Sequence, residues 1–205
     1  MWTDLLGQVY LVNLDKRMDR LSESLRQLDE YNIPFKRISA IEDKENGARG
    51  LRDTMNIIYQ DAIDNNYESI LVLEDDFLFV ENPNNFMGEV IKQLPENWHI
   101  CFLGCQPTNG FLYRQSANLL NLQKAFATHA VMYSKQCIKE IMSMGMGYPI
   151  DNWLVDNIEI LGQTYCTYPF LCTQSEGESN IGNTYIDWRP FMQPRYEQKL
   201  AEMPQ

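Results

Sequence analysis

A continuous apolar run, Ile70–Leu73, stops abruptly at three consecutive acids, Glu74, Asp75 and Asp76. Such a run predicts a strand buried on both faces of a sheet. Gln8–Asn13 reads as an earlier short strand. Leu21, Leu25 and Leu28 recur at helical spacing over Lys16–Tyr31, which Asn32-Ile33-Pro34 stops. Phe35–Ala40 predicts a second strand, and the polar, glycine-bounded Ile41–Gly50 a loop. Leu51, Met55, Ile58 and Ala62 mark a helix over Leu51–Asn65, ahead of the Ser69–Leu73 strand. Pro83–Leu94 predicts a short helix and His99–Leu103 a buried strand. The alternation of strand and helix up to residue 103 implies an α/β domain with a parallel sheet and helices on both faces. Later elements are less regular. Gly110–Gln115 and Ala125–Tyr133 read as strands. Ser134–Met144 reads as a helix capped by Ser134 and ended at Gly145. Asn152–Leu161 is a second helix after Pro149-Ile150-Asp151, and Tyr165–Phe170 a last strand. The expected organisation is one domain, residues 1–190, followed by a polar tail, residues 191–205.

The end of the third strand is where open α/β sheets place ligands. Three adjacent acids there repel one another, at roughly 4 kcal/mol per pair for ~4 Å and an effective dielectric near 20. Proton uptake, access of water or a divalent cation each relieves that repulsion. Carboxylate oxygens suit Mg²⁺ or Mn²⁺. A solvated acidic turn is the plainer alternative.

Composition narrows the partners. The 205 residues are 44% hydrophobic and 12% aromatic, enough for a core. A net charge of −11 argues against nucleic acid and against anionic lipid. Five cysteines without a C-x-x-C argue for reduced thiols rather than disulfides or zinc. No signal peptide, membrane span or N-x-[ST] sequon is evident, so a cytoplasmic protein is expected. A dinucleotide fingerprint, a P-loop, a nucleophile elbow and H-E-x-x-H are all missing. His99 and His129 are the only histidines, and His99 reads as a core residue.

Several blocks together resemble glycosyltransferase family 25, which includes bacterial lipopolysaccharide galactosyl- and glucosyltransferases and collagen galactosyltransferases. Val9–Arg17 with Asp19-Arg20 resembles the family's "INLDR…DR" opening. Phe35–Asp43, with Arg37, Ala40 and Glu42, resembles its next strand and loop. Ile70–Asp76 resembles its strand and acidic motif, and Thr128–Ser134 its "HAY" strand. Pro149-Ile150-Asp151 resembles its "PVD", and Pro169–Ile181, with Gln174 and Ser179, its closing block. Two departures stand out. Arg52-Asp53 follows Gly50-Leu51 where the family has a Ser-His pair after glycine, and Asn180 replaces an aspartate.

The resemblance implies a GT-A fold, a UDP-hexose donor (galactose or glucose), a glycan or other hydroxyl-bearing acceptor and commonly Mn²⁺. By the family's D-x-D logic, Asp76 ligates the metal, Glu74 contacts metal or ribose, and Asp75 assists. Asn13, Arg17 and Arg20 follow the first strand, where such folds hold the nucleotide. Asn13 is expected at the base edge and an arginine at phosphate, with a capped, solvated helix start as the plainer role. Asp151 is the expected general base, with Asp156 the alternative and helix capping the structural reading of Asp151. His129 and Gln174 are secondary candidates, His129 as a late metal ligand or as the residue that orients Asp76. The implied reaction is an inverting, metal-dependent hexosyl transfer. Its rivals are a nucleotidyltransferase, a catalytically inactive sugar-nucleotide or glycan-binding module of the same fold, and a metal-free structural domain.

Overall fold

A computed structural model describes residues 1–108, 111–178, 185–187, 192 and 197–202. In chain order the strands and helices are β1 Gln8–Asn13, α1 Met18–Glu30, β2 Lys36–Ser39, α2 Gly47–Asp64, β3 Ser69–Glu74, β4 Phe77–Phe79, α3 Met87–Gln93, β5 Ile100–Phe102, β6 Gln106–Pro107, β7 Phe111–Arg114, β8 Leu119–Leu122, β9 Ala125–Phe126, β10 Ala130–Ser134, α4 Lys135–Met144, α5 Ile150–Asn157, β11 Thr164–Thr167, β12 Cys172–Gln174, β13 Gly177–Glu178 and β14 Tyr185–Ile186.

Eight strands form the central sheet in the order β2-β1-β3-β10-β5-β11-β8-β7. Six of them run one way, while β10 and β8 run against them. The expectation of a mostly parallel α/β sheet holds for strand direction, but β5 is not the neighbour of β3. β10 lies antiparallel between them. That insertion matters for the site. An antiparallel strand enters the sheet at the end where its neighbours leave it, so residues 127–129 arrive beside Glu74.

Side chains alternate across the sheet as strand geometry requires. Tyr10, Val12, Ile70, Val72, Val131 and Tyr133 face α2, α4 and α5. Val9, Leu11, Leu71, Leu73, Ala130 and Met132 face α1 and α3. Met55, Ile58, Tyr59 and Ala62 supply the buried stripe of α2 at helical spacing. Burying each large side chain contributes roughly 1.5–3 kcal/mol. The α2 helix begins one turn before the predicted Leu51, because Asn46 caps it by accepting from the Arg49 N–H. Gly50 sits where a Cβ would strike the Ile41 carbonyl oxygen, so the first turn packs directly on the 41–43 loop. Ser134 and Gly145 bound α4 as read from the sequence, with the Ser134 hydroxyl accepting from the Cys137 N–H and Gly145 at φ 76°. All five cysteines are free and buried. Among the described residues no helix is long and apolar enough to cross a membrane.

Candidate functional site

The carboxyl ends of β1 and β3 lie side by side, with Val12 paired to Glu74. A cleft of about 580 Å³ opens there, between these ends, the 40–47 loop and the start of α2. Six acids line it (Glu42, Asp43, Glu45, Glu74, Asp75 and Asp76) against three cations, Lys16, Arg20 and Lys44. Lys16 is paired with Glu42, and Arg20 with Asp75 and Asp76. Arg49 and two backbone N–H groups hold the Asp43 carboxyl down at about 2, the Arg49 contact being the largest cause.

The acidic triplet divides its duties. Asp75 accepts from Asn13 Nδ2 at 2.7 Å and from Arg20 Nη1 at 3.0 Å. Asp76 Oδ2 lies 3.3 Å from the same Arg20 nitrogen, and the nearby Gln174 side chain favours its charged form. Antiparallel pairing of β12 with β4, and the Ser175 N–H donated to the Asp76 carbonyl, bring Gln174 there. Asp76 Oδ1 is buried without a hydrogen-bond partner. Burial raises the Asp76 carboxyl above its ordinary range, although Arg20 opposes the shift. An orphaned hard oxygen on a cleft wall fits a divalent cation, which would satisfy it. Among the described residues no three His, Cys, Asp or Glu side chains converge on one metal position.

Asn13 is buried and fully engaged. Its amide donates to the Arg17 carbonyl and to Asp75, and its oxygen accepts from Arg37 Nη2 at 2.7 Å. It knots β1 to β2 and the acidic turn while lining the cleft. Arg17 caps the start of α1 and pairs with Asp19 through two nitrogens. His129 immediately precedes β10. Its ring is fully buried between the Cys172 and Ala127 backbones, and burial pushes it down to about 4. Its backbone carbonyl accepts the Glu74 N–H at 2.9 Å.

The residues that join the two halves of the site lie in a corner read from the sequence as part of one strand. Ala125–Tyr133 is instead broken into β9 and β10 by Ala127, which adopts φ 77°. A left-handed alanine costs roughly 1–2 kcal/mol. The turn aims the Ala127 N–H at Asp151 Oδ2, 2.8 Å away, and places Thr128 Oγ1 3.1 Å from Asp151 Oδ1. The same hydroxyl is 2.8 Å from Glu74 Oε1. One hydroxyl proton cannot serve two carboxylates. Burial, and then Asp76 and Asp151, push the Glu74 carboxyl up to about 8, while the Thr128 hydroxyl opposes that shift. Asp151 is half-buried in the first turn of α5, after the Tyr148–Pro149 bond. Asp156, the alternative base, is exposed and lies ~140° further round the helix. Arg52 and Asp53 pair with each other at 2.6 Å, and Arg52 lies over the Tyr148 ring at 5.1 Å. Ser179, Asn180 and Ile181 lie outside the described residues.

The family model for glycosyltransferase family 25 (LPS biosynthesis protein) matches residues 55–152, a segment that runs from α2 through the acidic turn to Asp151. Among solved structures, A197 from STIV is similar at TM-score 0.56 and 9% identity, covering 87% of this chain and 91% of that one. A glycosyltransferase involved in glycosylation of the major capsid of PBCV-1 is similar at TM-score 0.53 and 14% identity, covering 94% of this chain and 98% of that one. No curated protein sequence matches the chain.

Proposed function

We propose that this chain is a metal-dependent hexosyltransferase that uses a UDP-hexose and passes the sugar to a hydroxyl acceptor with inversion. The observation that carries this reading is the charge of the cleft. A nucleoside diphosphate brings negative charge to a wall where acids outnumber cations two to one, and where Lys16 and Arg20 are already paired. Only an added cation makes that binding favourable. Asp76, with Glu74 beside it, would hold Mn²⁺ or Mg²⁺. When bound, the ion neutralises the departing diphosphate as a Lewis acid.

The chain's own residues do the rest. Arg20 anchors the Asp76 carboxyl in the wall of the cleft. Asp151, held by Ala127 and Thr128, takes the proton of the acceptor hydroxyl as that oxygen bonds to the anomeric carbon. The bond from that carbon to the diphosphate oxygen breaks in the same displacement, and UDP leaves with its electron pair. Holding base and donor in fixed register supplies the proximity term. The test is UDP release from UDP-galactose and UDP-glucose with Mn²⁺, comparing wild type with Asp151→Asn. Turnover that falls about 100-fold in the variant, with UDP affinity retained, supports the reading. Wild-type turnover in Asp151→Asn removes the base assignment. A second reading, an inactive sugar-nucleotide-binding module, draws on the Arg52–Asp53 pair standing where the family has Ser-His. It predicts UDP binding without UDP release.

A further inference from the structure

We infer that Thr128 is a positioning residue for the transfer, acting as the hinge pin between the donor side and the acceptor side of the site. The inference rests on the proposed role of Asp151 and goes one step further. Its basis is geometric. Both Asp151 carboxyl oxygens are held from a single corner, Oδ2 by the Ala127 N–H at 2.8 Å and Oδ1 by the Thr128 hydroxyl at 3.1 Å. The same hydroxyl reaches Glu74 Oε1 at 2.8 Å. Glu74 ends β3 and lines the nucleotide cleft, whereas Asp151 rides on α5. One side chain therefore touches a residue from each half.

The backbone reports the same arrangement independently. Of the described non-glycine residues only Asn32, Asn66 and Ala127 have positive φ. Asparagine adopts that conformation readily, while alanine has no polar side chain to compensate it. The strained residue stands immediately before Thr128 and directs its own N–H to Asp151. A corner built only to connect β9 to β10 would have no need of that strain. Its effect is to aim two donors at one carboxyl group and so fix the angle from which the base meets the acceptor.

The test compares Thr128→Val, which keeps the shape and removes the hydroxyl, with Thr128→Ser, which restores it. Thr128→Ala replaces the valine variant if that chain fails to fold by circular dichroism. The readouts are UDP affinity by calorimetry with Mn²⁺ present, and turnover of UDP-galactose and UDP-glucose by UDP release. Loss of one hydrogen bond to the base lowers kcat roughly 10- to 100-fold. UDP affinity should stay within about twofold, and serine should recover kcat to within about threefold of wild type. Wild-type kcat in Thr128→Val beside an inactive Asp151→Asn overturns the positioning role and leaves the base assignment standing. Equal loss of UDP affinity and kcat assigns Thr128 to donor binding and also overturns it. A wild type that turns over neither donor removes the functional reading and this inference together.

Discussion

Replacing Arg20 with methionine is the sharpest test of how the acidic triplet is held. Methionine keeps much of the apolar stem and removes only the charge and the donors. Arg20 Nη1 bridges Asp75 at 3.0 Å and Asp76 at 3.3 Å, and the three side chains are only 12%, 9% and 17% exposed. Removing one member of a buried ion pair typically costs about 3–5 kcal/mol. The cleft admits some water, so the low end applies, about 3 kcal/mol. For a chain of this size that lowers Tm by roughly 6–12 °C. The variant should also respond more strongly to Mn²⁺, because two neighbouring carboxyl groups have lost their cation. A ligand that binds only the native state stabilises it in proportion to the logarithm of its concentration over Kd. Thermal unfolding with and without Mn²⁺ therefore gives two numbers per protein. Adding Asp76→Asn to Arg20→Met should recover part of the lost stability, since fewer unpaired charges remain. A loss below about 1 kcal/mol, or a Mn²⁺ response equal to that of wild type, would refute the reasoning.

Four further substitutions probe the frame around the site. Glu159 is buried with one oxygen unpartnered, and burial pushes its carboxyl up to about 8 from 4.5. The folded protein therefore keeps a proton that the unfolded chain releases. Stability falls as pH rises between those values, by an amount on the order of 4 kcal/mol, and Glu159→Gln should flatten that fall in urea titrations from pH 5 to pH 8. An unchanged slope would place the dependence elsewhere. A Cβ on Gly104 would overlap the Cys172 carbonyl oxygen, whereas one on Gly88 in α3 would meet only Trp2 Cβ at 3.9 Å. Gly104→Ala should lose about 3 kcal/mol or more and Gly88→Ala should gain up to about 1 kcal/mol, both read from urea midpoints. Asn46→Ala removes the α2 cap and should lower stability by about 1 kcal/mol in the same assay.

The legible parts of the sequence were those with a strong local cause. Four apolar residues followed by three acids mark β3 and its functional end. Ser134 and Gly145 mark both ends of α4, and Leu28, Met55 and Ile58 mark the inner faces of α1 and α2. What escaped was non-local. Nothing near residue 130 says that its strand inserts between β3 and β5. The break at Ala127 carries no glycine or proline, and the bond its N–H donates is to Asp151, 24 residues on. Leu119–Leu122 forms β8 although Asn121 interrupts its apolar run. The asparagine is nonetheless fully buried and donates to the Gly162 and Thr164 carbonyls. At the site, residue types were readable but their partners were not. Asn13 and Asp75 bond to each other, a pairing visible only once β1 and β3 lie side by side.

The central claim is that the Asp76 wall of the cleft holds a cation together with a sugar-linked diphosphate. Calorimetric titration of UDP into wild type and Asp76→Ala, each with and without Mn²⁺, tests it most directly. The account predicts binding by wild type only when Mn²⁺ is present, and none by Asp76→Ala under either condition while its fold is retained. UDP binding of equal strength in all four titrations would contradict it.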